Sequence, residues 1–328
     1  MFIIKLLQLY LSYNRPSQCT RRCIYCDKNN HISLNNNDYK KNMIDIINYY
    51  KKNHIYYDMT DITISSCDGG QYSYNILVEL MDVIKKEKTY SILNTHFRFL
   101  STCEYVSKEN LNILENETIM LSIDGTYETM KQNRRTTKKE WNHIQELIDY
   151  TYMKDIEFMI SSTFYPNRNS YEDIKCIQQL LKNDLSKWRH ALAFGDNIWT
   201  YTTLDNFFID LQKFSIEYLS NNNDIPKENF LKNIGFKLGR TLCSSTCVLA
   251  NKNANFSTCL KTYTKDMEYS PFIYNSIIQQ QKQCNECLYK PYCILCPYDM
   301  ISMCFLSKEI YCYAAKKFYE LQNILKGL

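Results

Sequence analysis

At 328 residues and 45% hydrophobic content, the chain is long enough to bury a sizeable core as one large domain or two ordinary ones, which excludes a disordered or fibrous protein. Its net charge of +4 is spread over isolated pairs such as Lys40-Lys41, Lys85-Lys86 and Lys138-Lys139 instead of one basic stripe, which argues against a nucleic-acid partner. Fifteen cysteines without an export signal belong in a reducing cytoplasm, where clustered thiols point to metal ligation over disulfides.

The opening run, Met1 to Tyr10, is apolar but too short to span a bilayer, and no small-residue cleavage site follows it. It reads as a first buried strand, with no membrane association. From there to about residue 200, short β-rich runs alternate with helical patterns, the signature of an α/β protein with a parallel sheet. The strand candidates are Phe2 to Tyr10, Asp61 to Ser66, Tyr90 to Asn94, Thr118 to Ile123, Ile156 to Ser162 and Arg189 to Phe194. Apolar residues at three-and-four spacing mark helices between them: Met43, Ile46, Ile47 and Tyr50, then Leu77, Leu80, Met81 and Ile84, then Ile174, Ile177 and Leu181. A further helix, from about Asn206 to Leu219, leads through Asn221-Asn222-Asn223 into a region where cysteine density jumps. Three segments follow: a first domain over 1–205, a linker helix and bridging region over 206–242, and a cysteine-rich domain over 243–328.

The loop after the first strand carries Cys19-Thr20-Arg21-Arg22-Cys23-Ile24-Tyr25-Cys26. Thiolates at this spacing can hold three irons of a [4Fe-4S] cluster, because soft sulfur suits iron and a compact loop brings the three together. One iron is then left open to a small ligand. Structural zinc, the competing reading, wants four ligands, yet no cysteine lies between Cys26 and Cys67 and His31 alone makes a poor fourth. The spacing, with aromatic Tyr25 one residue before the third cysteine, resembles that of the radical S-adenosylmethionine (SAM) enzymes.

The resemblance implies a partial (β/α)6 TIM-type barrel, and the six βα units agree with it. It also implies that the open iron chelates the amino and carboxylate groups of SAM, and that the reduced cluster cleaves SAM to a hydrogen-abstracting 5′-deoxyadenosyl radical. Tyr25 occupies the place of the family's ring against the adenine. Cys67-Asp68-Gly69-Gly70-Gln71, after strand two, stands where the family has GGEP; Gly69 and Gly70 would let backbone approach the ligand, while Gln71 and Tyr72 depart from the family's Glu and Pro. Leu121-Ser122-Ile123-Asp124-Gly125 with Arg134 ten residues after the Asp resembles the family's S-x-D-G run. There Ser122 would meet the ribose, Arg134 the SAM carboxylate through its fork, and Asp124 would order the loop. Asn94 and Thr95, read as ending strand three, stand at the family's Thr-Asn-Gly ribose contact.

Nine cysteines lie beyond residue 240: Cys243, Cys247, Cys259, Cys284, Cys287, Cys293, Cys296, Cys304 and Cys312. All but Cys304 form an ordered layout, whose spacing alone admits two four-thiolate zinc sites as well as two [4Fe-4S] clusters. Coexistence with the first triad favours iron. The layout resembles the SPASM extension of radical SAM enzymes, which implies one auxiliary cluster on Cys243, Cys247, Cys259 and Cys296 and another on Cys284, Cys287, Cys293 and Cys312. Two residues instead of the usual three separate Cys293 from Cys296, and Ala254 replaces a Gly; either departure could shift a ligand to Cys304. By default Cys67, Cys103, Cys176 and Cys304 read as small buried hydrophobes, Cys67 being the exception to watch because it adjoins the turn that would meet SAM.

Cofactors implied by the resemblance are therefore SAM and three [4Fe-4S] clusters, with flavodoxin or ferredoxin as electron donor. The activity implied is oxidative modification of a ribosomally made peptide, by a thioether or carbon-carbon crosslink or a related oxidation. Sulfatase-maturing relatives carry an acid directly after the cysteine matching Cys259, whereas this chain has Leu260, followed by Lys261; neither is an ordinary base. The catalytic base is thus not identified. Without a winged-helix extension before the triad, leader recognition would fall to a separate protein or to the barrel. Two other readings stand beside this one: a radical SAM dehydrogenase of an aminosugar-type alcohol or of a protein Cys or Ser, and a non-catalytic iron-sulfur protein, which Gln71 would favour.

Overall fold

The computed structural model describes residues 3–4, 7–13, 23–25, 56–57, 60–66, 95–101, 106–113, 118–166, 169–193, 197–222, 225–234, 247–250, 256–257, 286–289 and 305–327. Its strands are β1 (Ile3–Ile4), β2 (Leu7–Tyr13), β3 (Tyr56–Tyr57), β4 (Thr60–Ser66), β5 (Thr95–Ser101), β6 (Thr118–Ser122), β7 (Phe158–Phe164), β8 (Trp188–Leu192), β9 (Cys247–Ala250) and β10 (Phe256–Ser257). Its helices are α1 (Lys108–Ile113), α2 (Tyr127–Arg134), α3 (Lys138–Met153), α4 (Ser170–Leu180), α5 (Tyr201–Asn221), α6 (Lys227–Ile234) and α7 (Phe305–Gly327).

Strands β2, β4, β5, β6, β7 and β8 lie side by side in chain order, every neighbouring pair parallel. Parallel neighbours require a crossover between them, and among the described residues α1 to α4 lie in the crossovers from β5 to β8. Six parallel strands in chain order agree with the βα pattern expected from periodicity. The first strand runs from Leu7 to Tyr13, beyond its expected end, and a strand at Thr95–Ser101 joins the sheet, while the Tyr90 to Asn94 candidate lies outside the described residues.

At β7 both faces of the sheet are covered. Phe158, Met159 and Ile160 are consecutive and all buried, the pattern of a strand with packing on both sides. Helix α3 contributes Trp141, Ile144, Leu147 and Ile148 from one apolar stripe, and its start is fixed by a capping box in which Thr137 and Glu140 bond each other's backbone amides. In α4 the expected Ile174, Ile177 and Leu181 are all fully buried. Helix α5 is longer than expected at both ends and stacks on α7 through Phe208 and Phe318, whose rings are edge-on at 4.7 Å. Helix patterns at 43–50 and 77–84 lie outside the described residues.

Past the six units, β9 pairs parallel to β2 through Gln8 with Cys247 and Leu9 with Val248, and β10 adds antiparallel to β9. The parallel sheet thus carries a short hairpin on its β2 edge. No helix among the described residues is long and apolar enough to cross a membrane.

Candidate functional site

In parallel βα architectures, ligands are met at the carboxyl ends of the strands. Strands β2 and β4 end level with one another, Tyr13 opposite Ser66, and in sequence Cys19–Cys26 and Cys67–Gln71 follow these adjacent ends. Strand β6 ends at Ser122, paired with Ser161 of β7. Thr95 is at the other end. It opens β5 opposite Thr60, the first residue of β4, so the expectation that Thr95 ends its strand beside a ligand is corrected by the register.

The ladder between β6 and β7 continues past Ser122, with the Ile123 amide donating to the Ser161 carbonyl at 3.0 Å. The next amide, Thr163, donates instead to Asp124 Oδ1 at 2.9 Å, so a carboxylate takes the place of a backbone carbonyl. Asp124 is fully buried. A buried carboxylate is stable only when paired and bonded on its remaining lone pairs, and here it is. Arg134 donates to it twice, Nε to Oδ2 at 2.9 Å and Nη2 to Oδ1 at 2.8 Å, and the Tyr25 hydroxyl donates to Oδ2 at 2.5 Å.

Local structure explains how residues ten apart meet. Thr126 caps α2 by accepting from the Thr129 amide, and Arg135, in the left-handed conformation with φ of 59°, closes the helix by bonding back to the Lys131 carbonyl. Arg134 is therefore the last helical residue, and a helical side chain leans towards the N-terminus, here towards Asp124 just before the cap. Burial opposes the charge of Arg134, but Asp124 and Tyr25 outweigh it and raise its pKa further. Burial likewise raises the Tyr25 phenol well above its ordinary value.

Gly125 has φ of +153°, a region that L side chains rarely adopt, and a Cβ there would lie 2.2 Å from Asp173 Oδ1. Glycine is what lets Asp173 close on the loop from the other side. Asp173, buried in the first turn of α4, accepts from the Thr126 amide at 2.9 Å and from the Thr126 hydroxyl at 3.1 Å. Burial outweighs these bonds and pushes its pKa up to about 6. A carboxyl whose pKa is raised on folding destabilises the fold once ionised, so this contribution is absent below pH 4 and grows as pH rises to about 6. Asp173→Asn keeps the acceptor oxygen; it should raise stability at pH 7 by about 2 kcal/mol and flatten the pH profile between about 4 and 6, as read by urea denaturation. An unchanged profile would refute this account. Cys176 is half-buried beside Gly125, where burial pushes its thiol up to about 11, in keeping with a packing role.

The cysteine loop reaches this cluster through described residues 23–25. The Ile24 amide donates to the Asn133 carbonyl at 3.0 Å, and Arg134 lies over the Tyr25 ring at 5.5 Å from its centroid. Cys23 is half-buried, and its charge bears on both Tyr25 and Arg134. A soft thiol at Cys23 is of the kind that ligates iron in an iron-sulfur cluster.

Neither a family model nor a curated protein matches the chain. Solved structures do. A His-tagged form of anSMEcpe, an anaerobic sulfatase-maturating enzyme, with bound AdoMet superposes with a TM-score of 0.69 at 16% identity, over 99% of this chain and 96% of that one. Native anSMEcpe with bound AdoMet and Cp18Cys peptide gives 0.67 at 16% identity, over 98% and 99%. The complex with Kp18Cys peptide gives 0.65 at 15%, over 98% and 100%. The chain shares its overall fold with anSMEcpe.

Of the remaining expected site residues, Ser122 is buried at the end of β6, while Cys19, Cys26, Gly69, Gly70 and Gln71 lie outside the described residues. So do Cys243, Cys259, Cys284, Cys293 and Cys296. Cys247 opens β9. Cys287 and Cys312 are exposed. Tyr289, two residues after Cys287, packs its ring on Tyr319 at 5.6 Å, and Tyr319 lies seven residues, two turns, past Cys312 on α7. The chain around Cys287 thus rests on the helix face that carries Cys312. That helix is held over the end of β8 by Tyr311, whose hydroxyl donates to the Ala193 carbonyl at 2.9 Å.

Asp173 is the member that sequence reading misses. Its position in the first turn of a helix is visible in the pattern, but its partner Thr126 lies 47 residues away and is joined to it only by the fold.

Proposed function

We propose that this protein is a radical SAM enzyme that oxidatively modifies a peptide. The observation that carries the reading is the seating of the Cys23–Tyr25 turn on Asp124, which brings a CxxxCxxC loop to the carboxyl end of a parallel sheet. In support, the whole chain shares its fold with a protein that holds both AdoMet and a peptide. Cys19, Cys23 and Cys26 would hold the cluster, with Gly69, Gly70, Gln71 and Ser122 around SAM. When bound, cluster and SAM supply hydrogen-atom abstraction from the substrate. The chain's own residues set the loop position, keep the Asp124–Arg134 pair dry and limit solvent access at the sheet end.

Residues 1–205 would form the barrel, 206–242 the bridge and 243–328 a SPASM domain with two auxiliary clusters. The packing of Tyr289 on Tyr319 supports Cys287 and Cys312 as ligands of one of them. Leu260 speaks against formylglycine formation and leaves a crosslink or related oxidation of a peptide, with a flavodoxin or ferredoxin as electron source.

Iron and sulfide analysis together with reductive SAM cleavage tests the proposal. About twelve irons per chain and release of 5′-deoxyadenosine are expected. A fully reconstituted protein that forms no 5′-deoxyadenosine would refute it.

A further inference from the structure

What holds Tyr25 is its hydroxyl. Its bond to Asp124 joins the cysteine loop to a carboxylate that is itself anchored twice by Arg134 of α2 and once by the Thr163 amide of β7. The adjacent Ile24 amide, bonded to the Asn133 carbonyl, is a second fastening onto the same helix. The ring meanwhile has the Arg134 guanidinium over it. A loop that touched its surroundings only through an aromatic face would be free to slide along them. A hydroxyl bonded to an immobile carboxylate is not.

We infer that Tyr25 is a positioning residue that acts through its hydroxyl: the bond to Asp124 sets the height of the cysteine turn over the sheet end, and with it the approach of SAM to the cluster. Arg134 belongs to the same device. Its Nε and Nη2 edge is committed to Asp124, so it serves first to hold that carboxylate in place for Tyr25. This rests on the reading of the loop as a SAM-binding cluster site.

Tyr25→Phe separates the two roles open to this side chain, because phenylalanine keeps the ring and loses only the bond. Bound iron should stay at the wild-type level. The dissociation constant for SAM, followed by the change it causes in the electron paramagnetic resonance spectrum of the reduced protein, should rise about tenfold, the size of one charge-assisted hydrogen bond. The spectrum of the SAM-bound state should itself differ from wild type. Hydrogen exchange of the Ile24 amide, measured in the protein without iron, should accelerate. In an Asp124→Asn background, the same substitution should add little, because the partner charge is already gone. Wild-type SAM affinity, spectrum and Ile24 exchange in Tyr25→Phe would overturn the inference. If the wild-type chain takes up iron but its spectrum ignores SAM, the site reading falls and the inferred role in SAM approach falls with it, while faster Ile24 exchange in Tyr25→Phe would still establish the fastening itself.

Discussion

Replacing Cys19, Cys23 and Cys26 together by alanine is expected to abolish 5′-deoxyadenosine release and to lower bound iron from about twelve to about eight per chain. The loss of turnover follows from the removal of all three thiolates of the cluster that would face SAM. The retained iron follows from the independence of the C-terminal cysteines: Cys247 opens a strand on the far side of β2, and Cys312 lies on α7, held by contacts to α5 and β8 that do not involve the loop. If iron falls to zero, the C-terminal cysteines do not hold clusters of their own. If iron stays near twelve, the triad is not a ligand set.

Asp124→Ala should cost about 3–5 kcal/mol of stability in urea denaturation, because it leaves Arg134 as an uncompensated buried charge and strips the Tyr25 hydroxyl and Thr163 amide of their acceptor. Domains have only about 5–15 kcal/mol in all, so the variant should be close to unfolding. Asp124→Leu with Arg134→Met should be less damaging than Asp124→Ala alone, since removing both charges of a buried pair spares the desolvation cost that removing one incurs. A stability within about 1 kcal/mol of wild type for Asp124→Ala would mean that the pair contributes little.

The parts of this molecule that could be read from the chain are those encoded locally. Strand β6 and helix α4 lie close to where alternation and three-four spacing place them, because each buries its own apolar residues. Asp124 reads as a loop-ordering residue from the S-x-D-G run, and it does order the loop. Its partners are another matter. A spacing of ten puts Arg134 at the end of α2 with its side chain leaning back towards the cap, but spacing does not say which carboxylate the fork meets. The bond from Tyr25 spans 99 residues of sequence and that from Thr126 to Asp173 spans 47, distances at which only the stacking of βα units brings side chains together. β5 shows the limit of local patterning: Thr95 to Ser101 is marked as a strand by its pairing with β4, a partner that local sequence does not name. The β9–β10 hairpin was hidden for a different reason, since four residues beginning at a cysteine carry too little alternation to mark a strand.

The placement of β9 bears on how the chain folds as it is synthesised. A ribosome delivers the six βα units first, and until about residue 250 has emerged, the edge of β2 has no strand to pair with, exposing a row of amides and carbonyls open to any other extended segment. A strand made late therefore seals one made early. Nascent chains accumulating at high expression should be prone to edge-to-edge association during that interval, a vulnerability set by strand order and not by the stability of the finished protein.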